Sequence, residues 1–213
     1  VLKKYAEKVK VIPIGIDQAG YLSPSKDALQ AWREKLPERF FLFIGTLRYY
    51  KGLHILLEAN AEKNFPIVIV GSGPIERQLQ VLAKKLGLKN VFFLGALGDS
   101  DKIALLYLCF AMVFPSHLRS EAFGISLLEG AMFRKPLISS EIGTGTSWIN
   151  IHNETGIVIP PSDPSALSLA MEKLWNDPVQ AKIYGDRAYE RYCELFTGGK
   201  MVSSYVDLYK SLL

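Results

Sequence analysis

Three short runs constrain this chain more than anything else in it: Phe40–Gly45 (F-F-L-F-I-G), Pro66–Gly71 (P-I-V-I-V-G) and Cys109–Phe114 (C-F-A-M-V-F). Each is apolar almost throughout, so a strand made from it has no face to show to water. Strands buried on both faces belong to parallel sheets covered by helices on either side. Further strands are expected at Asn90–Gly95, Leu137–Ser139 and Gly156–Pro160. Between them the spacing predicts helices over Ala28–Leu36, Leu53–Glu62, Ile75–Leu86 and Ser100–Leu108, and another opening at Gly124. From Pro164 onward the pattern is helical, with breaks at Asp177-Pro178 and Thr197–Gly199. Alternation of this kind predicts an α/β fold, a Rossmann-like doubly wound parallel sheet of about six strands. With 213 residues, 49% of them hydrophobic, the chain can bury a core of that size. Ligands of such sheets bind outside the strand carboxyl ends, where the strand order reverses.

The stretch Pro115–Pro136, P-S-H-L-R-S-E-A-F-G-I-S-L-L-E-G-A-M-F-R-K-P, carries the richest chemistry at such an end. A polar loop follows the strand, and the helix begins at Gly124 with Leu127, Leu128, Ala131 and Met132 on its apolar face. Its free backbone N–H groups and dipole favour an anion such as a phosphate. Glu121 and Glu129 frame the turn, and a carboxylate can accept from two neighbouring hydroxyls, as a sugar or ribose presents them. Phosphate flanked by two polyols describes a nucleotide-sugar. An equally open reading at this point makes Glu129 a helix-dipole partner and Glu121 a solvated loop residue.

A second strand-to-helix turn, Thr46–Gly52, holds Arg48 and Lys51. Two close cations repel unless an anion joins them, and a diphosphate leaving group is such an anion; as surface charges they would need no such explanation. Gly71-Ser72-Gly73-Pro74 lacks the third glycine of a dinucleotide fingerprint, with Glu76 in its place. His54 and His152 read as structural or exposed, and His117 and Arg119 lie near enough to Glu121 to face substrate without a specific signal. No histidine or cysteine has a partner at ligand spacing, so no metal site is expected.

The Pro115–Pro136 stretch closely resembles the E-x7-E signature of retaining glycosyltransferases of family four, in its P-S, E-A-F-G, L-L-E and K-P elements together. That family has the two-domain GT-B fold, needs no catalytic metal, and transfers a sugar from a nucleoside diphosphate to an acceptor hydroxyl by front-face displacement. The resemblance implies that Glu121 contacts the sugar and Glu129 the ribose, with the backbone of Phe123, Gly124, Ile125 and Ser126 near the sugar and diphosphate. It implies a phosphate role for Lys51, the end of the family's G-R-L-x-x-x-K-G. Thr46 stands where that motif has arginine, and Arg48 is the candidate to reach the phosphates from two residues later. Gly71 and Gly73 match the family's G-x-G-P turn at the nucleotide. Val91–Gly95, with Phe93, matches the strand end that meets the base, although Phe92 and Phe93 also read as core.

The segment V-I-P-I-G-I-D, Val11–Asp17, is similar to the family's hinge between domains. The resemblance therefore implies three parts. Residues 1–17 would be the last helix and hinge of a missing N-terminal domain, 18–196 a nucleotide-sugar-binding domain, and 197–213 a crossover helix with an apolar face awaiting a partner. L-R-Y-Y-K-G-L and S-E-I-G-T-G-T-S look like bacterial mannosyltransferases that build lipopolysaccharide O-antigen, making GDP-mannose the expected donor. The acceptor, a glycan or lipid-linked sugar, would sit largely on the other domain. A non-catalytic nucleotide-sugar-binding or regulatory module of the same fold is the alternative. A glycosidase would also use two carboxylates, but has no use for a phosphate-binding turn.

Two isolated cysteines fit a reducing compartment, so a cytoplasmic location is expected. Four lysines against one glutamate in the first ten residues hold most of the net charge of +4. The rest of the chain has no extended basic surface, which argues against nucleic acid as a partner. The lysine-rich end reads first as a solvated helix face. Its second reading is a contact with anionic headgroups at the inner face of the cytoplasmic membrane.

Overall fold

A computed structural model of the chain describes residues 8–21 and 23–212, so most of the helix expected over residues 1–10 lies outside the described residues. Six strands, β1 (Phe41–Ile44), β2 (Ile67–Val70), β3 (Val91–Phe93), β4 (Ala111–Phe114), β5 (Leu137–Ser140) and β6 (Gly156–Ile159), form one sheet. Every pairing is parallel, and the order is β3-β2-β1-β4-β5-β6. The apolar runs are continuous because successive side chains enter different cores. Phe41, Phe43, Ile67, Ile69, Ala111 and Val113 pack on one side. Leu42, Ile44, Val68, Val70, Met112 and Phe114 pack on the other.

Ten residues, Lys26–Lys35, form α1, whose Trp32 packs at the margin of the second core and donates to Asp101 at 2.8 Å. The first core is covered by α2 (Leu53–Ala59), α3 (Glu76–Lys85) and, later in the chain, α7. The second is covered by α4 (Asp99–Leu108) and α5 (Ile125–Met132). A short α6 (Thr146–Ile149) is followed by α7 (Pro164–Asn176), α8 (Pro178–Leu195) and α9 (Gly198–Lys210). Along α8, Ala181 and Tyr184 reach the first core while Ala188 and Tyr192 reach the second.

The expected breaks are cap sites. Asp163, Asp177 and Thr197 accept from Ala166, Gln180 and Lys200 N–H groups, and Pro164 and Pro178 occupy a first turn that needs no such donor. The sequence pattern runs the second helix to Glu62, but it stops at Ala59. Buried Asn60 closes it, exchanging side-chain hydrogen bonds with the Phe65 backbone at 2.8 and 2.9 Å. The loop after β5 contains α6, whose four residues are too few to show periodicity; Thr146 and Ile149 anchor it in the core. The incoming segment is tied to the turn before α9: Ile16 N–H donates to Phe196 O at 3.0 Å, and Gly198 N–H donates to Asp17 at 3.0 Å. On α9, Val202, Tyr205, Val206 and Tyr209 remain exposed.

Candidate active site

The strand order reverses between β1 and β4, so the loops that follow these two strands rise side by side at the carboxyl edge. The β1 loop ends in a tight 3-10 turn, Tyr49–Lys51, stopped by Gly52 at φ 71°. A Cβ at Gly52 would overlap the carbonyl oxygen of Pro115 in the β4 loop, so only glycine lets the two loops meet this closely. His117 fastens them again, with N–H to Tyr50 O at 3.0 Å and Nε2 to Tyr49 O at 3.2 Å. A carbonyl only accepts, so Nε2 carries the proton and, in the neutral ring, Nδ1 accepts from the Ser162 hydroxyl at 2.9 Å. His54 stacks on Tyr49, and burial, then the electrostatic influence of the neighbouring His117 imidazole, lowers its basicity.

This fastening brings together two residues 70 positions apart. The Lys51 ammonium pairs with Glu121 Oε2, which also accepts from Ser116 at 3.2 Å. Lys51 lies over the Phe114 and Tyr50 rings, and both ends of the pair are largely buried. In this structure the anion beside Lys51 is Glu121, a residue of the chain itself. Arg48 is exposed and makes no ion pair among the described residues.

The helices after β1 to β5 have no side-chain cap. In α3 and α6 backbone carbonyls take first-turn N–H groups, Glu76 to Gly73 and Trp148 to Gly145, whereas those of Ile125, Ser126 and Leu127 in α5 have no partner among the described residues. The first turn of α5 follows Gly124; Ile125 is exposed and Ser126 half-buried, while Phe123 packs edge-on to Phe196. One turn further in, Glu129 is buried between α5 and α4. Its Oε1 accepts from the Tyr21 hydroxyl at 2.6 Å and from Lys102 at 3.2 Å. Burial alone would lower the Lys102 basicity, but Glu129 and Asp99 outweigh it and the net shift is upward. Burial, then the bond to Glu129, raises the Tyr21 hydroxyl above the ordinary phenol range. Neither Tyr21 nor Lys102 stands out in the sequence.

On the β2 side, Gly71 and Gly73 have a structural reason to be bare. Side chains there would overlap the carbonyl oxygens of Gly45 and Leu47, so the β1 and β2 loops pack backbone to backbone. Phe93 packs on the first core and Phe92 on the second, both partly buried at the sheet edge. Both are thus core residues, on opposite faces.

Residues 25–191 match the family described as Glycosyl transferases group 1. The chain belongs to this family. It is 61% identical over 197 residues to D-rhamnosyltransferase WbpZ of Pseudomonas aeruginosa, covering 92% of this chain and 52% of that protein. It is 52% identical over 212 residues to O-antigen chain mannosyltransferase C of Escherichia coli, covering all of this chain and 57% of that one. This group 1 glycosyltransferase chain thus spans about half the length of those curated relatives. Among solved structures, sucrose-phosphate synthase from Thermosynechococcus elongatus matches with a TM-score of 0.84 at 27% identity, over 99% of this chain and 55% of that one. The C-terminal domain of a glycosyl transferase group 1 family protein from Francisella tularensis matches with a TM-score of 0.72 at 21% identity. That match covers 86% of this chain and the whole of the other. The fold expected from the sequence, a Rossmann-like half of a GT-B enzyme, is the one found.

Proposed function

We propose that this chain is the donor-binding half of a retaining transferase. It would move a hexose from a nucleoside diphosphate to a hydroxyl of a glycan or lipid-linked acceptor. The observation that carries the reading is the Lys51–Glu121 pair at the switch point, beside the uncapped start of α5. A diphosphate arriving at that edge meets open N–H donors and competes with Glu121 for Lys51. The carboxylate is then turned toward the sugar. During transfer the bond from the anomeric carbon to the phosphate oxygen breaks, and the bond to the acceptor oxygen forms on the same face. The acceptor proton passes to the departing phosphate. Fixed donors and a cation stabilise the charge that develops there.

The donor in this proposal is GDP-mannose or its 6-deoxy counterpart. The relatives at 61% and 52% identity are named for D-rhamnose and mannose, sugars that differ only in the hydroxyl at carbon 6. The acceptor wall is assigned to a second domain, and a lipid-linked acceptor would place the enzyme at the inner face of the cytoplasmic membrane. No helix among the described residues is long and apolar enough to cross a membrane.

Calorimetric titration of the chain with GDP and with guanosine tests the phosphate assignment. Lys51→Ala is expected to weaken GDP by about 1–3 kcal/mol and guanosine far less. Arg48→Ala, on an exposed side chain, should give a smaller loss that added salt removes. Equal losses for nucleotide and nucleoside in the Lys51 variant would remove Lys51 from the phosphate site.

A further inference from the structure

Glu129 is 5% exposed, and its two carboxylate oxygens are treated very differently. Oε1 takes both protein donors, the Tyr21 hydroxyl and the Lys102 ammonium, while Oε2 has no hydrogen-bond partner among the described residues. The last torsion of a glutamate is broad and two-fold, so a carboxylate alone has no fixed orientation. Two donors converging on one oxygen remove that freedom and fix where the other points. We infer that Tyr21 and Lys102 are positioning residues that hold Glu129 by Oε1, leaving Oε2 as the acceptor for a ribose hydroxyl. The inference rests on the assignment of Glu129 to the ribose.

Both donors are themselves held. Lys102, on the first turn of α4, also contacts Asp99 at 3.3 Å and lies 5.4 Å from the centre of the Tyr21 ring. The Tyr21 ring packs edge-on to Phe133 at 6.1 Å, and its N–H donates to Gln18 O at 2.9 Å. A few residues earlier, the same segment is tied to Phe196 and Gly198. Tyr21 is thus a donor on a fixed strap. Tyr21→Phe keeps the ring contacts and deletes only the hydroxyl.

The readout is discrimination between ribose and deoxyribose, which a general loss of stability would not change. The chain is titrated with GDP and UDP and with the 2′-deoxy form of each. The unaltered chain is expected to prefer the ribonucleotide it binds by about tenfold, the scale of one hydrogen bond to a charged acceptor. Glu129→Ala should abolish the preference. Tyr21→Phe and Lys102→Met should each cut it to about threefold or less, with little change in deoxynucleotide affinity, and Lys102→Arg should restore it. If Glu129→Ala abolishes the preference and both donor variants keep it, the positioning role is wrong and the ribose assignment stands. A donor variant that alone keeps the preference removes that residue from the role. If Glu129→Ala keeps the preference, or neither ribonucleotide binds, the ribose assignment itself fails.

Discussion

Under the proposed transfer function, Glu121→Gln, assayed together with the acceptor domain which that proposal assigns, is expected to slow sugar transfer by about two to three orders of magnitude. The same change should leave affinity for bare GDP unaltered or somewhat tighter. The opposite signs follow from the ion pair. Without ligand, the Glu121 carboxylate offsets the Lys51 charge inside a largely buried pocket. A diphosphate must compete with that carboxylate, so glutamine removes a competitor and leaves Lys51 a stronger partner for phosphate. The sugar meets the other consequence. A neutral amide cannot match a carboxylate as acceptor for its hydroxyls, nor stabilise positive charge at the anomeric carbon. Steady-state rates and GDP calorimetry on the same variant separate the two effects. A variant that transfers at nearly the normal rate would refute the sugar role, and one that loses GDP binding as steeply as turnover would refute the competition between Glu121 and phosphate.

Much of the fold was legible because every strand except β5, which ends in Ser139 and Ser140, is a near-continuous apolar run ended by glycine, proline or a polar turn. Phe41 to Ile44 can be read without knowing the neighbours, since both faces must be dry whichever strands flank it. Strand order could not be read this way. Alternating strands and helices fit several doubly wound orders, and it is the adjacency of β1 and β4 that brings Lys51 to Glu121. Each could be picked out locally, one in a cation-bearing turn and the other in a glutamate-framed loop. Their pairing depends on tertiary structure.

The same limit hid the partners of Glu129. Tyr21 is 108 positions away and Lys102 is 27, and no periodicity connects them. His117 stood beside a recognised motif but gave no signal of its own, because its task is to hold the backbone of the Tyr49–Lys51 turn. Gly71 and Gly73 were legible as a bare turn. What makes them bare in the fold is the backbone of Gly45 and Leu47, which packs where side chains would stand.

The turn that presents Lys51 should be among the least tolerant places in the chain, and Gly52→Ala is the substitution that shows it. At φ 71° an alanine carries the left-handed penalty of about 1–2 kcal/mol. Its Cβ would also overlap the Pro115 carbonyl, a backbone group with no rotamer to move aside. Relief requires the turn to lift from the β4 loop or α2 to shift, and α2 buries Leu53, Ile55, Leu56 and Leu57. The combined cost is expected to be about 3 kcal/mol or more, lowering Tm by roughly 6–12 °C in a domain of this size. Gly87→Ala supplies the comparison, because Gly87 is also left-handed, at φ 69°, but has open space where the methyl group would go. It should lose only the conformational part, about 1 kcal/mol. The difference between the two variants, read from urea or thermal unfolding, measures the lock between the loops. Gly52→Ala should in addition lose the preference for GDP over guanosine, since the lifted turn carries Lys51 away from the start of α5, where the diphosphate is proposed to bind. Equal destabilisation by the two alanines, with GDP binding intact, would mean that the loops separate at little cost and that Gly52 does not set the position of Lys51.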